Sequence, residues 1–132
     1  MLPKNQRLIK NSAFKAIYRL KKSTADALFV LHTGKEKTPE DKYLARVGFV
    51  VSKKVHKKAV KRNRIKRLMR EAYRLALQNK DIPSSQKWVS LIFTAREASP
   101  DADFNQVYNS IVKLIEKNSR KFSDEKNSFV FN

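Results

Sequence analysis

The chain has 132 residues, with no cysteine, one tryptophan, two glycines and four prolines. Without cysteine there is no disulfide framework and no thiolate metal site. So little glycine and proline leaves little for linkers, and no internal repeat or low-complexity block divides the chain. One compact domain is expected, with a polar tail after residue 117. Long apolar runs are also missing. The longest, Leu28 to Leu31 and Gly48 to Val51, fall far short of the roughly 20 residues a membrane helix needs. Met1 to Lys10 carries charges where a secretory signal has its apolar stretch. A membrane partner is therefore not expected, and a cytoplasmic location is.

The scarcest chemistry is acidic. Twelve Asp and Glu face thirty Lys and Arg, a net charge of +18. Such an excess repels itself unless a polyanion neutralises it, so nucleic acid is the expected partner. The chain can still build a core, because 41% of its residues are hydrophobic.

Periodicity predicts an α+β domain in the order helix, strand, strand, helix, strand, helix, with helices packed on a small mixed sheet. Asn11 or Ser12 can start a short helix in which Phe14, Ile17 and Tyr18 share a face. Leu28 to Thr33 reads as a strand, and Lys35 to Lys42, with Pro39, as a surface turn. Ala45 to Ser52 reads as a second strand, with Val47, Phe49 and Val51 on one face. Ala59 to Gln78 is free of glycine and proline and reads as a long helix. Lys87 to Ala95 reads as a buried strand, and Phe104 through Ile115 repeats at helical spacing. Residues 118–132 read as a polar, frayed tail, with Phe129 to Phe131 able to pack.

The informative segment is Lys53 to Arg74. Eleven of its 22 residues are Lys or Arg and only Glu71 is acidic, so it supplies +10 of the total +18. On a helical wheel Ile65, Leu68, Met69, Ala72 and Ala76 cluster on one side. Arg62, Asn63, Lys66, Arg67, Arg70 and Arg74 fill the opposite arc as a cationic ridge suited to phosphates, each contact releasing condensed counterions. A solvated helix face would normally mix signs in i to i+4 pairs. Like charges at 62, 66, 70 and 74 are instead unfavourable without a partner. Lys53, Lys54, Lys57 and Lys58 can extend the ridge to the helix N-terminus, or simply solubilise a loop. Phe14, Tyr18, Phe29 and His32 can line a groove that stacks unpaired bases, if the first helix lies along the sheet edge; core packing is the commoner role for such aromatics.

No catalytic constellation stands out. His32 and His56 are the only histidines, the acids are scattered, and Thr33-Gly34-Lys35 lacks the earlier glycine of a phosphate loop. No protein-bound metal is expected. A structural RNA-binding protein of ribosomal type, a DNA-binding regulator and a self-sufficient nuclease remain as alternatives. Strands on both sides of the basic helix count against the second, and the lack of clustered ligands against the third.

Arg46-Val47-Gly48-Phe49, Val51-Ser52-Lys53-Lys54-Val55, Ala59-Val60 and the run from Arg62-Asn63-Arg64 through Arg70-Glu71 resemble the ribonuclease P protein component family. The opening, with Leu8, Lys10, Phe14, Tyr18 and Phe29-Val30-Leu31, is similar as well, and the resemblance runs from about Leu2 to Lys117. The chain departs from the family pattern at His56-Lys57, where many members have Gly-Asn, and in the length-variable loop at Lys35 to Lys42. The resemblance implies a ribosomal protein S5 domain 2-like fold with a left-handed crossover, which general rules would not have predicted. It implies an accessory protein subunit, one copy per ribonuclease P RNA, in an enzyme that removes the 5′ leader of precursor tRNA. Catalysis and Mg²⁺ would lie with the RNA. Lys53, Lys54, Arg62, Asn63, Arg64, Lys66, Arg67, Arg70 and Arg74 would meet that RNA. Phe14, Tyr18, Phe29 and His32 would hold the single-stranded leader.

Overall fold

The computed structural model describes the backbone of residues 4–131 and the side chains of residues 5–122. Helix α1 spans Asn11–Arg19, strands β1, β2 and β3 span Ser23–Ala25, Phe29–Thr33 and Arg46–Val50, and helix α2 spans Ala59–Gln78. Strand β4, Ser90–Ala95, and helix α3, Phe104–Phe131, complete the chain, with short 3₁₀ turns at Lys4–Gln6, Pro83–Lys87 and Ser99–Asp101. The α+β class is as expected, with one more strand than the pattern predicts.

The sheet order is β1-β2-β4-β3. β2 runs antiparallel to both β1 and β4, whereas β3 runs parallel to β4 with α2 as the crossover between them. Pairing sets which face each side chain takes. Leu31 and Phe49 both sit opposite Phe93, and with Phe29, Val47, Leu91 and Ala95 they turn toward α2 and α3. Phe93 stacks on Phe49 with ring centroids 5.9 Å apart, and Tyr73 of α2 closes the trio at 6.0 and 6.1 Å. This is the core.

α2 forms where the pattern predicts because no residue in it lacks helical freedom and its stripe of Ile65, Met69, Ala72, Tyr73 and Ala76 is buried. Its end is closed by Lys80, which adopts a left-handed φ of 60° usually left to glycine, while Asp81 N–H reaches back to Ala76 O at 3.0 Å. Lys21 closes α1 in the same way, with φ 55°.

Asp26 ties the β1–β2 hairpin to α3. Its Oδ1 accepts from the Leu28 and Phe29 amides, each at 2.9 Å, and its Oδ2 accepts from the Ser110 hydroxyl. The surface turn at Lys35 to Lys42 is also anchored. Lys37 Nζ donates to Tyr43 O at 2.6 Å and to Gln86 Oε1 at 3.2 Å. The Thr38 amide, 2.8 Å away, holds the Asp41 carboxyl below its ordinary range.

Two expectations change here. Lys87 does not begin the fourth strand: Pro83–Lys87 is a 3₁₀ turn, Trp88 makes an isolated bridge with Glu36, and the continuous strand starts at Ser90. Beyond residue 117, where a frayed tail is expected, α3 continues and its first polar residues are engaged. Asn118 is buried, with Nδ2 3.1 Å from Thr24 Oγ1; Ser119 accepts from Lys87 at 3.2 Å; and Phe122 meets Trp88 edge to face at 6.4 Å. The side chains of Phe129 to Phe131 lie outside the described residues.

Candidate nucleic-acid interface

The two faces of the sheet have different fates. α2 and α3 cover the core face. The other face carries Val30, His32, Gly48, Val50, Ile92 and Thr94 by alternation, and among the described residues α1 and the preceding segment at Leu8 lie on it. α1 crosses this face rather than lying along the sheet edge. Ile17 is its buried anchor, packed beside Gly34, and the ring of Phe14 rests on Gly48. A Cβ at Gly48 would fall 2.7 Å from Phe14 Cζ, so glycine is what lets this ring lie against the sheet.

Beside α1 the face stays partly open. Tyr18 is 38% exposed, and its ring meets His32 edge to face at 4.9 Å and 87°. Val30, Val50 and Thr94 around them are half-buried. The structure thus joins Phe14, Tyr18 and His32 on one face, but it removes Phe29. That ring is fully buried on the core face, because pairing Phe29 with Ala95 and Leu31 with Phe93 sends the odd positions of β2 inward and Val30 and His32 outward. In place of Phe29 the face gains Val30, Val50 and Thr94, for which alternation about His32 is the available sequence signal.

Polar capacity on this face is unused. His32 Nδ1 and Thr94 Oγ1 are both buried without a hydrogen-bond partner. Burial lowers the pKa of His32 below its ordinary 6.5. The unfolded chain therefore takes up a proton at higher pH than the folded one, and stability should fall as pH drops through 6.5 and below. Thermal melts of the RNA-free protein across this range should show that loss, and His32→Asn should reduce it. Parallel pH profiles for wild type and variant would remove His32 as the cause.

The cationic surface lies on α2 and in the turn before it. Lys53 and Lys54 are exposed in the turn leaving β3, and so connect the open sheet face to the start of α2. At His56-Lys57 the path is tied down: His56 Nδ1 accepts from the Lys58 amide at 3.1 Å. The Arg62 guanidinium donates to the carbonyls of His56 and Lys57 at 2.9 and 2.8 Å. Arg62 thus holds the loop while keeping its positive charge. The N-cap of α2 is Lys58, with no side-chain cap and no acid in the first turn, leaving its positive end uncompensated.

Asn63, Lys66, Arg67 and Arg70 stand on the outer surface as the wheel predicts. Arg74 pairs with Glu71 at 3.1 Å, both about two-fifths exposed, which reduces its free charge. Arg64 turns to the other edge of the helix, its Nη1 3.5 Å from Pro100 O. Among the described residues no three His, Cys, Asp or Glu side chains gather as a metal site. Among them, too, no helix is long and apolar enough to cross a membrane.

Fold and surface together define a class: a small basic α+β domain with a cationic helix on one side and a partly open aromatic sheet face on the other, suited to a polyanion. The family model of Ribonuclease P matches residues 2–119. The chain is 36% identical over 114 residues to a protein named ribonuclease P protein component in Clostridium botulinum, covering 86% of this chain and 95% of that one. It is 40% identical over 111 residues to the Clostridium kluyveri protein of the same name, covering 84% and 92%. Among solved structures, an RNase P protein from Staphylococcus aureus matches with a TM-score of 0.66 at 31% identity, over 84% of this chain and 93% of that one. One from Thermotoga maritima matches with a TM-score of 0.68 at 26% identity, over 84% and 96%. This chain belongs to the ribonuclease P protein family. Its role is that of a protein component of ribonuclease P, in tRNA processing.

Proposed function

We propose that the chain binds ribonuclease P RNA through Lys53, Lys54 and the outer surface of α2, and holds the 5′ leader of precursor tRNA across the open sheet face. The observation that carries this reading is the partly open face itself. Phe14, Tyr18 and His32 are set there by Gly48 and α1, outside the core they could otherwise have joined. Bases of a single strand can stack on such rings. Base edges can meet His32 Nδ1 and Thr94 Oγ1, groups that are costly to leave buried and unpaired.

Mature tRNA has no leader, so these contacts favour substrate over product. Hydrolysis and the Mg²⁺ that supports it belong, in this reading, to the RNA. The protein contributes differential binding and neutralises phosphates that would otherwise repel one another. One protein copy per RNA suffices for both contacts.

The decisive test adds purified protein to a bacterial ribonuclease P RNA at low Mg²⁺ and follows leader release from precursor tRNA. Stimulation is expected only with both present. Cleavage by protein alone would place catalysis on the protein, and tight binding to another RNA without stimulation would favour a ribosomal-type role. Replacing both Phe14 and Tyr18 by alanine should weaken precursor binding about 10-fold, a modest value for the stacking of two bases. Mature tRNA binding should not change; equal losses for both would refute the leader groove.

A further inference from the structure

Val60, in the first turn of α2, is 77% exposed, more than any other large hydrophobic side chain in the described core and surface. Packing does not explain a branched apolar residue there, and its neighbours suggest another use. Behind it lie Leu68 and Phe104, both half-buried, and around it stand Lys61, Arg64 and Arg67; together they line an open cavity of about 590 Å³. The Phe104 ring is backed by Tyr108, 6.1 Å away at a tilt of 39°. Glu71 closes the far end, drawn toward Arg74 at 3.1 Å.

We propose that this cavity receives an unpaired base of the RNA engaged by α2, with the base against Phe104 and Val60 and its flanking phosphates at Lys61, Arg64 and Arg67. The inference rests on the RNA-binding reading above and adds a discrete base site to it. The volume falls in the roughly 300–1,000 Å³ range of small-ligand sites. Its apolar floor alone would suit any greasy group. The cationic rim selects one that carries negative charge, and a nucleotide joins a flat apolar face to an anionic backbone. A base stacked in a duplex hides that face, so the cavity discriminates for loops and bulges. Lys61 and Arg67 have no ion pair among the described residues, which leaves both available to phosphate.

The test uses the full chain and ribonuclease P RNA, with a mixed-sequence RNA as control. Phe104→Leu keeps the apolar volume but removes the ring, and should weaken binding about 10-fold with an unchanged salt dependence, because no phosphate contact is lost. Phe104→Tyr should bind as wild type does. Unchanged affinity of Phe104→Leu, with its melting temperature preserved, overturns the base site alone. Wild-type protein that prefers neither RNA overturns the ribonuclease P reading and the site with it. Should Phe104→Leu fail to fold, Val60→Cys decides: it would be the only cysteine in the chain, at an exposed position. An aryl azide attached there should crosslink to unpaired nucleotides, and crosslinks spread along duplex would refute the proposal.

Discussion

Replacing Lys66, Arg67 and Arg70 together by alanine should weaken binding to ribonuclease P RNA on the order of 100-fold near physiological salt, and should make the free protein more stable. The two effects have one origin. None of the three side chains has an ion pair or hydrogen bond among the described residues. Each phosphate they neutralise releases counterions, so losing three contacts should flatten the dependence of log K on log salt by about 3. In the free protein the same charges repel. The pairs 62–66, 66–70 and 70–74 each cost roughly 0.2–0.5 kcal/mol at helical spacing. Removing Lys66 and Arg70 relieves all three, and alanine is the best helix former. A gain of about 1 kcal/mol should raise the melting temperature by a few degrees. Salt-dependent binding and a thermal melt therefore move in opposite directions. If stability rises and RNA affinity does not change, the ridge is only a solvated face.

How legible this site was depended on where its signal lies. α2 was readable end to end, since a 20-residue stretch without glycine or proline and with a clear stripe needs no tertiary information. The ridge followed from the same wheel, but two of its members did not. Arg62 and Arg74 are engaged by the His56-Lys57 carbonyls and by Glu71, contacts that depend on rotamers and loop path. β1 was not readable at all: Ser23–Ala25 is short and polar, and becomes a strand only because β2 offers it an edge. Phe29 shows the limit of periodicity most clearly. Leu28 to Leu31 is apolar at every position, so the pattern does not say which residues face which way. The answer comes from the register with β4, 60 residues away in sequence and more. The end of α3 misled for the reverse reason. Asn118 and Ser119 are polar and look solvent-bound, yet Thr24 and Lys87 give them partners inside.

The largest effect on stability should come from Phe93→Ala. Phe93 is fully buried, lies between Phe49 and Tyr73 at 5.9 and 6.1 Å, and is paired with Leu31 of β2 on one side and Phe49 of β3 on the other. Truncation leaves a cavity that β2 and β3 cannot close without breaking register, so a cost of about 3–5 kcal/mol is expected. Against the roughly 5–15 kcal/mol that holds a domain together, that brings the free protein close to unfolding. Urea unfolding should show a much lower midpoint with little change in slope. The RNA then supplies a second test. If it binds only the folded chain, RNA at 100 times its dissociation constant restores about 2.7 kcal/mol. Leader release at saturating RNA should therefore recover, because the Phe93 side chain lies on the core face, opposite Phe14, Tyr18 and His32. The Phe14/Tyr18 double variant should do the reverse, losing preference for precursor at any RNA concentration. If Phe93→Ala also loses that preference at saturation, the two faces of the sheet are coupled, and the open face is not the independent leader site proposed for it.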